Sequence, residues 1–244
     1  MIDLNADLGE SFGIYQLGND ELLIPFITSA NVACGFHAGD SNVMYHTVKL
    51  CKENRVRVGA HPGYMGLQGF GRRKIQLTID EMVNSVLYQV GALKGICTFL
   101  SVPLTHVKPH GALYTDLARD FKASKALAIA LHKLDPNIIL YGLSGSEMQV
   151  AAERIGIQFY AEVFSDRGYD SSGHLVKRSL EGAFVTSVDE AVNRMIHLIK
   201  TGTIESVDGQ IITLKADTVC LHGDGVHALE LAKRLNNALI EKNI

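Results

Sequence analysis

The stretch SANVACGFHAGD, residues 29–40, begins as a short apolar run and ends in glycine, histidine and aspartate. Asp40 is an aspartate, and aspartate commonly caps the start of a helix. After it, Val43, Leu50 and Cys51 fall on one helical face. The stretch therefore predicts a strand, a polar turn and an amphipathic helix in succession.

The same unit recurs along the chain. The predicted strands are residues 2–8, 29–34, 55–59, 106–109, 138–143, 158–163 and 217–221. Further helices are predicted at residues 121–134, 146–155, 188–200 and 226–242, and one follows Thr78, which forms a capping-box pattern with Glu81. Alternating strands and helices predict parallel strands joined by right-handed crossovers. This periodicity fits a closed β/α barrel or a doubly wound sheet and does not separate the two.

The composition is that of an ordinary globular protein. The chain has 244 residues, of which 47% are hydrophobic and 20% charged, and its net charge is -3. No linker or low-complexity tract interrupts it, so we expect a single domain over residues 1–244. Because there is no basic stripe, we expect no nucleic acid and no anionic membrane among its partners.

The N-terminal residues and the cysteines predict a cytoplasmic protein. Residues 1–7 contain neither the basic nor the apolar region of a signal peptide. No apolar run approaches the roughly 20 residues that span a bilayer. Four widely spaced cysteines, without a C-x-x-C pair, are typical of reduced, buried thiols.

Polar residues with a neighbouring glycine mark the ends of nearly all the predicted strands. These residues are Asn5, Asp7, His37, His61, Lys108, His110, Glu162, Asp166, Arg167, His222 and Asp224. In a parallel barrel the carboxyl ends of all strands meet at one face, where active sites form. A single histidine at a strand end is more often structural, and Asp166 with Arg167 is as well explained by an ion pair. Their common position in the repeat favours one shared polar site.

The segment of residues 61–73 contains four glycines and ends in Arg72 and Arg73. It fits a loop over the site whose guanidinium groups meet a carboxylate or phosphate, or equally a solvated surface loop. The sequence has no P-loop, no dinucleotide-binding G-x-G-x-x-G after a strand and no G-x-S-x-G.

Seven long motifs run from the first predicted strand to the last predicted helix. They are DLNADLGESFG (residues 3–13), SANVACGFHAGD (29–40), GAHP (59–62), GFGR (69–72), HVKPHGALY (106–114), EVFSDRGY (162–169) and VCLHGDGVHA (219–228). Together they resemble the LamB/YcsF family. The resemblance implies an irregular seven-stranded β/α barrel, similar to polysaccharide deacetylases and some glycosidases.

The resemblance also implies an activity. The family is assigned as the first of the three components of the bacterial ATP-dependent 5-oxoprolinase, which cleaves 5-oxo-L-proline to L-glutamate as ATP is hydrolysed to ADP and phosphate. ATP, with Mg²⁺, is then the expected cofactor, and 5-oxoprolinase subunits B and C are the expected partners.

For this reaction the strand-end residues are given hypothetical roles. The catalytic candidates are Asp7, His61, His110, Glu162, His222 and Asp224, and the substrate- or phosphate-binding candidates are Asn5, His37, Arg72, Lys108, Asp166 and Arg167. Asp7 with His61 or His110 would orient and deprotonate water. Lys108 and Arg167 would bind carboxylate or phosphoryl oxygens.

The remaining catalytic candidates complete the scheme. His222 and Asp224 would protonate the leaving nitrogen or orient the other histidines, and Glu162 is a second candidate base. Whether a metal is bound stays open: Asp7, His61 and His110 are the candidate ligands, but no H-x-x-x-H motif accompanies them. Two other functions remain: a stand-alone metal-dependent deacetylase or amidohydrolase acting on a sugar or small amide, and a non-catalytic binding component.

Overall fold

The structure is a computed structural model that describes residues 2–222 and 227–242. Its strands are β1 (Asp3–Leu8), β2 (Ser29–Ala33), β3 (Arg57–His61), β4 (Leu104–Val107), β5 (Ile139–Leu143), β6 (Phe159–Phe164), β7 (Thr203–Glu205), β8 (Ile211–Thr213) and β9 (Thr218–His222). Its helices are α1 (Asp20–Leu23), α2 (Ser41–Asn54), α3 (Ile79–Phe99), α4 (Gly111–Leu117), α5 (Phe121–Leu134), α6 (Glu147–Ile155), α7 (Val188–Thr201) and α8 (Ala228–Glu241). Short 3-10 helices cover Ile24–Phe26 and Leu67–Gly69.

Seven strands close into a parallel barrel in the order β1-β2-β3-β4-β5-β6-β9, and β9 pairs with β1 to complete the circle. The predicted β/α barrel is therefore confirmed, and the doubly wound sheet is excluded. The short strands β7 and β8 form an antiparallel hairpin outside the barrel, between α7 and β9.

The two faces of the barrel strands differ in polarity. On β1, Leu4 and Leu8 belong to the apolar core between the strands and the helices. Asp3, Asn5 and Asp7 alternate with them and are also buried. The Lys108 ammonium, which follows β4, reaches both Asn5 and Asp7 on β1, which is not its neighbour in the sheet. The polar residues of β1 therefore face the barrel interior, which is usually filled with branched apolar side chains.

Both predicted helix caps are confirmed. The Asp40 side chain accepts hydrogen bonds from the backbone N–H groups of Asn42 and Val43 at the start of α2. Thr78 and Glu81 form a reciprocal capping box at the start of α3. These caps fix where α2 and α3 begin after the chain has left the carboxyl ends of the barrel strands. We call that end of the barrel the upper end, and the end where the strands begin the lower end.

The predicted bounds of the third and fourth strands are wrong by two residues. Arg55 adopts a left-handed conformation (φ 59°) that terminates α2, so β3 begins only at Arg57 and includes His61. The strand β4 ends at Val107 because Pro109 has no N–H to continue the ladder. The helices α1 and α4 and the β7–β8 hairpin are additions that the sequence pattern did not predict.

The four cysteines are free and buried, as expected. Across residues 2–222 and 227–242, none of the helices has the length and apolar character needed to cross a membrane.

Candidate active site

Asp7 lies near the carboxyl end of β1, between Asn31 of β2 and His222 of β9 in the sheet register. Its Oδ1 accepts hydrogen bonds from Asn31 Nδ2 at 2.9 Å and from Lys108 Nζ at 2.9 Å. Its Oδ2 lies 3.3 Å from His61 Nε2. Burial raises the pKa of Asp7, but attraction to His61 and Lys108 outweighs it and holds the pKa well below the usual range. Asp7 is therefore an ionised carboxylate inside the barrel.

Lys108 is the buried cation at the centre of this site. Its Nζ lies 2.9 Å from Asp7 Oδ1, 2.7 Å from Glu162 Oε1 and 3.0 Å from Cys220 Sγ, and it also donates to Asn5 Oδ1 at 3.1 Å. Burial lowers the pKa of Lys108, but the surrounding Asp7, Cys220 and Glu162 raise it well above its usual value. The ammonium thus stays charged and links the strands β1, β6 and β9 to the residue that follows β4.

Two histidines meet beside Asp7 through defined ring atoms. His61 Nδ1 contacts the Lys108 carbonyl oxygen at 2.7 Å, and His110 Nε2 contacts the Phe70 carbonyl oxygen at 2.9 Å. A carbonyl oxygen accepts only, so each of these ring nitrogens carries a proton and donates it. The remaining nitrogens, His61 Nε2 and His110 Nδ1, face one another at 2.9 Å.

His37 and Glu10 complete this cluster. The His37 ring stacks on the His110 ring with centroids 3.7 Å apart and planes at 5°. His37 Nε2 lies 3.3 Å from Glu10 Oε1, while His37 Nδ1 is buried and has no hydrogen-bond partner within the described residues. Burial, reinforced by the other histidines, holds the pKa values of His37 and His110 well below the usual range.

The glycine-rich segment packs directly on these rings. Gly71 has a φ of +60°, and a Cβ there would lie 2.7 Å from His37 Cβ and 2.9 Å from His110 Cδ2. Only glycine combines this backbone conformation with this close approach. The neighbouring Phe70 ring lies edge-on to both His37 and His110. The segment therefore covers the histidines, as expected for a loop over the site.

His222 forms a second acid–base pair at the mouth of the barrel. Its Nδ1 lies 2.7 Å from Asp166 Oδ2, and its Nε2 lies 3.3 Å from an Arg178 guanidinium nitrogen. Burial raises the pKa of Asp166, but His222 and Arg167 lower it below the usual value overall. One ligand atom each from Asp7, Cys220 and His222 lie within 4.8 Å of one another. Asp7, His61, His110 and His222, four of the predicted strand-end residues, therefore lie in one site.

Arg72 and Arg167, the two arginines predicted to bind substrate or phosphate, contact other groups than Asp7 and the histidines. Arg167 does not pair with Asp166 but donates to the carbonyl oxygens of Ala183 and Val176. Burial, together with the nearby charge of Arg178, lowers the pKa of Arg167 to about 10. The Arg72 guanidinium lies over the Phe70 ring, 4.8 Å from its centroid. Arg167 thereby holds distant parts of the segment after β6 together.

Glu162, the second candidate base, lies inside the barrel and not at its mouth. It is fully buried, its Oε2 accepts a hydrogen bond from the Tyr114 hydroxyl at 2.7 Å, and its Oε1 pairs with Lys108. Asn5 also lies inside the barrel, where it donates to Thr218 Oγ1 at 2.6 Å. The predicted catalytic residue Asp224 lies outside the residues that the structure describes.

Sequence reasoning missed several residues of the site. They are Glu10, Asn31, His106, Tyr114 and Cys220. Glu10 follows the first predicted strand inside a motif already noted, so its position at a strand end was an available signal. Asn31 and His106 lie within strands, and their contact (2.9 Å) depends on which face of the barrel each presents.

Comparisons with known proteins agree with this architecture. The family model described as "LamB/YcsF family" matches residues 2–244. A protein of Bacillus licheniformis, named as the A subunit of 5-oxoprolinase, is 50% identical over 98% of this chain and 94% of its own length. Its counterpart of the same name from Staphylococcus carnosus is 48% identical over 100% of this chain and 96% of its own length.

A solved structure is similar over almost the whole chain. It is a lactam utilization protein from Thermus thermophilus, with 40% sequence identity and a TM-score of 0.93 over 99% of this chain and 97% of that one. The motifs, the closed seven-stranded barrel and these matches lead to one assignment: the chain belongs to the LamB/YcsF family.

Proposed function

We propose that this chain is the A subunit of an ATP-dependent 5-oxoprolinase, which opens the cyclic amide of 5-oxo-L-proline to give L-glutamate. The observation that carries the proposal is near-full-length identity of 48–50% to relatives of that name. The buried Asp7–His61 pair supports it, because an ionised carboxylate in contact with an imidazole is a suitable arrangement for general base catalysis.

The substrate chemistry explains the coupling to ATP. Amide resonance makes the lactam carbonyl a poor electrophile. Transfer of the ATP γ-phosphoryl group to the amide oxygen would give an activated carbon and ADP. Water then adds to that carbon and the C–N bond breaks, which gives an acyl phosphate on the side-chain carboxyl of glutamate. A second water hydrolyses this acyl phosphate, so that the carboxylate and free phosphate form. The nitrogen accepts a proton and becomes the amino group of glutamate.

The Asp7–His61 pair is the proposed base for the attacking water. Because His61 Nδ1 donates to the Lys108 carbonyl oxygen, the proton that the ring gains or loses lies on Nε2, which faces Asp7 and the interior. Asp7, held ionised by Lys108, favours the protonated ring that forms as water loses its proton. Lys108 is already bound to two carboxylates, so we assign it to holding Asp7 in place and not to binding the substrate carboxylate.

His222 is the proposed proton donor to the ring nitrogen. Asp166 fixes its orientation through the 2.7 Å contact with Nδ1. His222 Nε2 accepts from the Arg178 guanidinium at the mouth, so it first takes up a proton and then passes it to the nitrogen. Glu162 is assigned to positioning, because both of its oxygens are engaged below the surface. Arg72, together with Arg178, is the proposed partner of anionic substrate oxygens.

ATP, with Mg²⁺, is proposed to bind on one of the partner proteins or at the interface with one, since this sequence carries no P-loop. Subunits B and C are the proposed partners, and the cytoplasm is the proposed location of the complex. The test is release of glutamate from 5-oxoproline by this chain and the two purified partners. We expect release only when all three proteins and ATP are present, and undiminished release without this chain would contradict the proposal.

The cluster of Glu10, His37, His61 and His110 also favours a second candidate. A stand-alone metal-dependent deacetylase or amidohydrolase would use such a set of ligand atoms. Hydrolysis of a small amide by this chain alone, without ATP, would support this candidate over the first.

A further inference from the structure

Three neighbouring strands place Asn31, Gly59 and His106 in one row across the barrel. The sheet register pairs Asn31 of β2 with Gly59 of β3, and Gly59 with His106 of β4. Asn31 and His106 are buried, and the His106 ring stacks on Tyr141 with centroids 4.1 Å apart. His106 Nε2 lies 2.9 Å from Asn31 Oδ1, so the ring extends across β3 to the strand beyond it.

The absence of a side chain at Gly59 makes this contact possible. A Cβ at Gly59 would lie 2.1 Å from both Cδ2 and Nε2 of His106, well inside van der Waals contact. Gly59 is not among the glycines with a positive φ, so its backbone conformation alone would accept alanine. The glycine that opens the motif GAHP, residues 59–62, is therefore required by the His106 ring and not by a turn.

The hydrogen bonds of Asn31 have only one consistent direction. Its Nδ2 lies 2.7 Å from Asn5 Oδ1 and 2.9 Å from Asp7 Oδ1. The Lys108 ammonium, which has no acceptor, donates to both of these oxygens, so both accept. The amide nitrogen of Asn31 must therefore face them, and its Oδ1 faces His106.

The His106 ring must accordingly donate from Nε2. Burial lowers the pKa of His106 to about 3, so the ring is neutral and carries a single proton. The Thr105 hydroxyl lies 2.8 Å from Nδ1 and 3.0 Å from the Val58 carbonyl oxygen, and the direction of the Asn31 amide assigns its proton to Nδ1. The donors thus run in one direction, from Thr105 through His106 and Asn31 to Asp7.

We propose that His106 is a positioning residue that acts on the Asp7–His61 pair through Asn31. Asn31 and Lys108 both donate to Oδ1 of Asp7, which leaves Oδ2 beside His61 Nε2 at 3.3 Å. The orientation of such a pair matters because a misplacement of about 1 Å can reduce a rate roughly 10²-fold. The effect on turnover rests on the proposed function, whereas the effect on the pair does not.

Two pairs of variants separate positioning from folding. His106→Gln keeps an amide nitrogen that can donate near the place of Nε2, whereas His106→Leu removes the donor. Gly59→Ala forces the ring away from Asn31 by contact with the new Cβ. Gly91→Ala is the matched control, because Gly91 is an exposed residue of α3 with open space around an added Cβ.

NMR of the chain alone, labelled with ¹⁵N-histidine, tests the geometry without any activity. The signals of His106 and His61 are those missing from the spectra of His106→Gln and His61→Gln. We expect wild-type His106 to be protonated on Nε2 and not on Nδ1. The ring-nitrogen shifts of His61 should change in His106→Leu and Gly59→Ala, and match wild type in His106→Gln and Gly91→Ala.

Either of two results in these spectra would overturn the proposal. The first is a proton on Nδ1 of wild-type His106, which needs none of the variants to fold. The second is a set of His61 shifts that His106→Leu and Gly59→Ala leave unchanged, since His106 would then not act on the Asp7–His61 pair.

Glutamate release by the reconstituted complex tests the effect on turnover. In His106→Leu and Gly59→Ala we expect kcat to fall about 10- to 100-fold, with KM for 5-oxoproline within about a factor of two. His106→Gln should recover kcat to within about fivefold of wild type, since it restores the donor. Equal kcat values for His106→Leu and His106→Gln would contradict the proposal, because the ring would then only fill space. A wild-type complex that releases no glutamate would reject the proposed function, and the NMR spectra would still decide this inference.

Discussion

The two ends of the barrel interior are both polar, but the polar groups at the lower end have more hydrogen-bond partners than those at the upper end. At the lower end, Asp3 accepts hydrogen bonds from Thr28, from Ser29 Oγ at 2.7 Å and from Thr218 Oγ1 at 2.7 Å, and it pairs with Arg57. At the upper end, His37 Nδ1 has no partner among the described residues, and two ring nitrogens of His61 and His110 face each other.

This difference separates a structural network from a chemical site. A buried carboxylate with a full set of donors stabilises the fold and has no capacity left for a ligand. Unsatisfied lone pairs beside an ionised carboxylate have that capacity, and their cost is offset by the rest of the fold. Substitutions at the two ends should therefore affect different quantities.

The largest effect is expected at the upper end, from Asp7→Asn. The neutral amide neither favours a protonated His61 nor supports deprotonation of water, so kcat should fall about 10²- to 10⁴-fold. Lys108 keeps its contact with Glu162, so the chain should still fold. The measurement is glutamate release by the reconstituted complex, with circular dichroism as the control. Near-full activity would remove Asp7 from the mechanism.

The matched change at the lower end is Asp3→Asn. It leaves Arg57 without its counter-ion and turns an acceptor into a donor that faces hydroxyl groups. The free energy of unfolding should fall by about 2–4 kcal/mol. Urea denaturation measures it. At a temperature where the variant is folded, kcat should stay within a factor of two, and a loss comparable to that of Asp7→Asn would erase the distinction between the ends.

A smaller effect is expected from Asp166→Asn at the mouth. Without the carboxylate, His222 loses the contact that orients it, and kcat should fall about 10- to 100-fold while KM changes little. Asp189→Asn, which removes a carboxylate that is 70% exposed, is the control and should leave kcat and KM unchanged. A variant that changes KM and leaves kcat unaltered would mean that Asp166 supports binding and not proton transfer.

The smallest effect is the pH dependence of stability that Asp3 contributes. Burial raises the pKa of Asp3, but the Thr28 hydrogen bond and the Arg57 charge lower it below its unfolded value. Such a group stabilises the fold above the unfolded pKa of about 3.9, and this contribution is lost as the pH falls through the folded pKa. The difference in unfolding free energy between wild type and Asp3→Asn should thus shrink from pH 6 toward pH 3. If the difference in unfolding free energy did not change with pH, the stabilisation would come from packing and not from the charge of Asp3.

Sequence reasoning predicted the shared site through one signal, the position of polar residues at successive strand ends. That signal placed Asp7, His61, His110 and His222 together because parallel strands of a barrel all end at one face. Sequence reasoning also predicted both helix caps, since Asp40 and the Thr78 capping box act locally. The strand–helix pattern left a barrel and a doubly wound sheet open, and the resemblance to the LamB/YcsF family favoured the barrel.

The polar interior itself could not be predicted from the sequence. On β1, Asp3 and Asn5 alternate with apolar residues, which is equally the pattern of a strand with one face in water. The contact between His222 and Asp166 joins residues 56 positions apart and depends on the pairing of β6 with β9. Which nitrogen of His61 or His110 carries a proton depends on backbone carbonyls that only the fold brings near.

The most direct test of the account is one assay that compares both ends of the barrel. Complexes of subunits B and C with wild-type, Asp7→Asn or Asp3→Asn chains are supplied with 5-oxoproline and ATP at a temperature where all three chains are folded. We predict glutamate release at a rate near that of wild type for Asp3→Asn and at least about 100-fold slower for Asp7→Asn. Equal rates for the two variants would contradict the placement of the chemistry at the upper end.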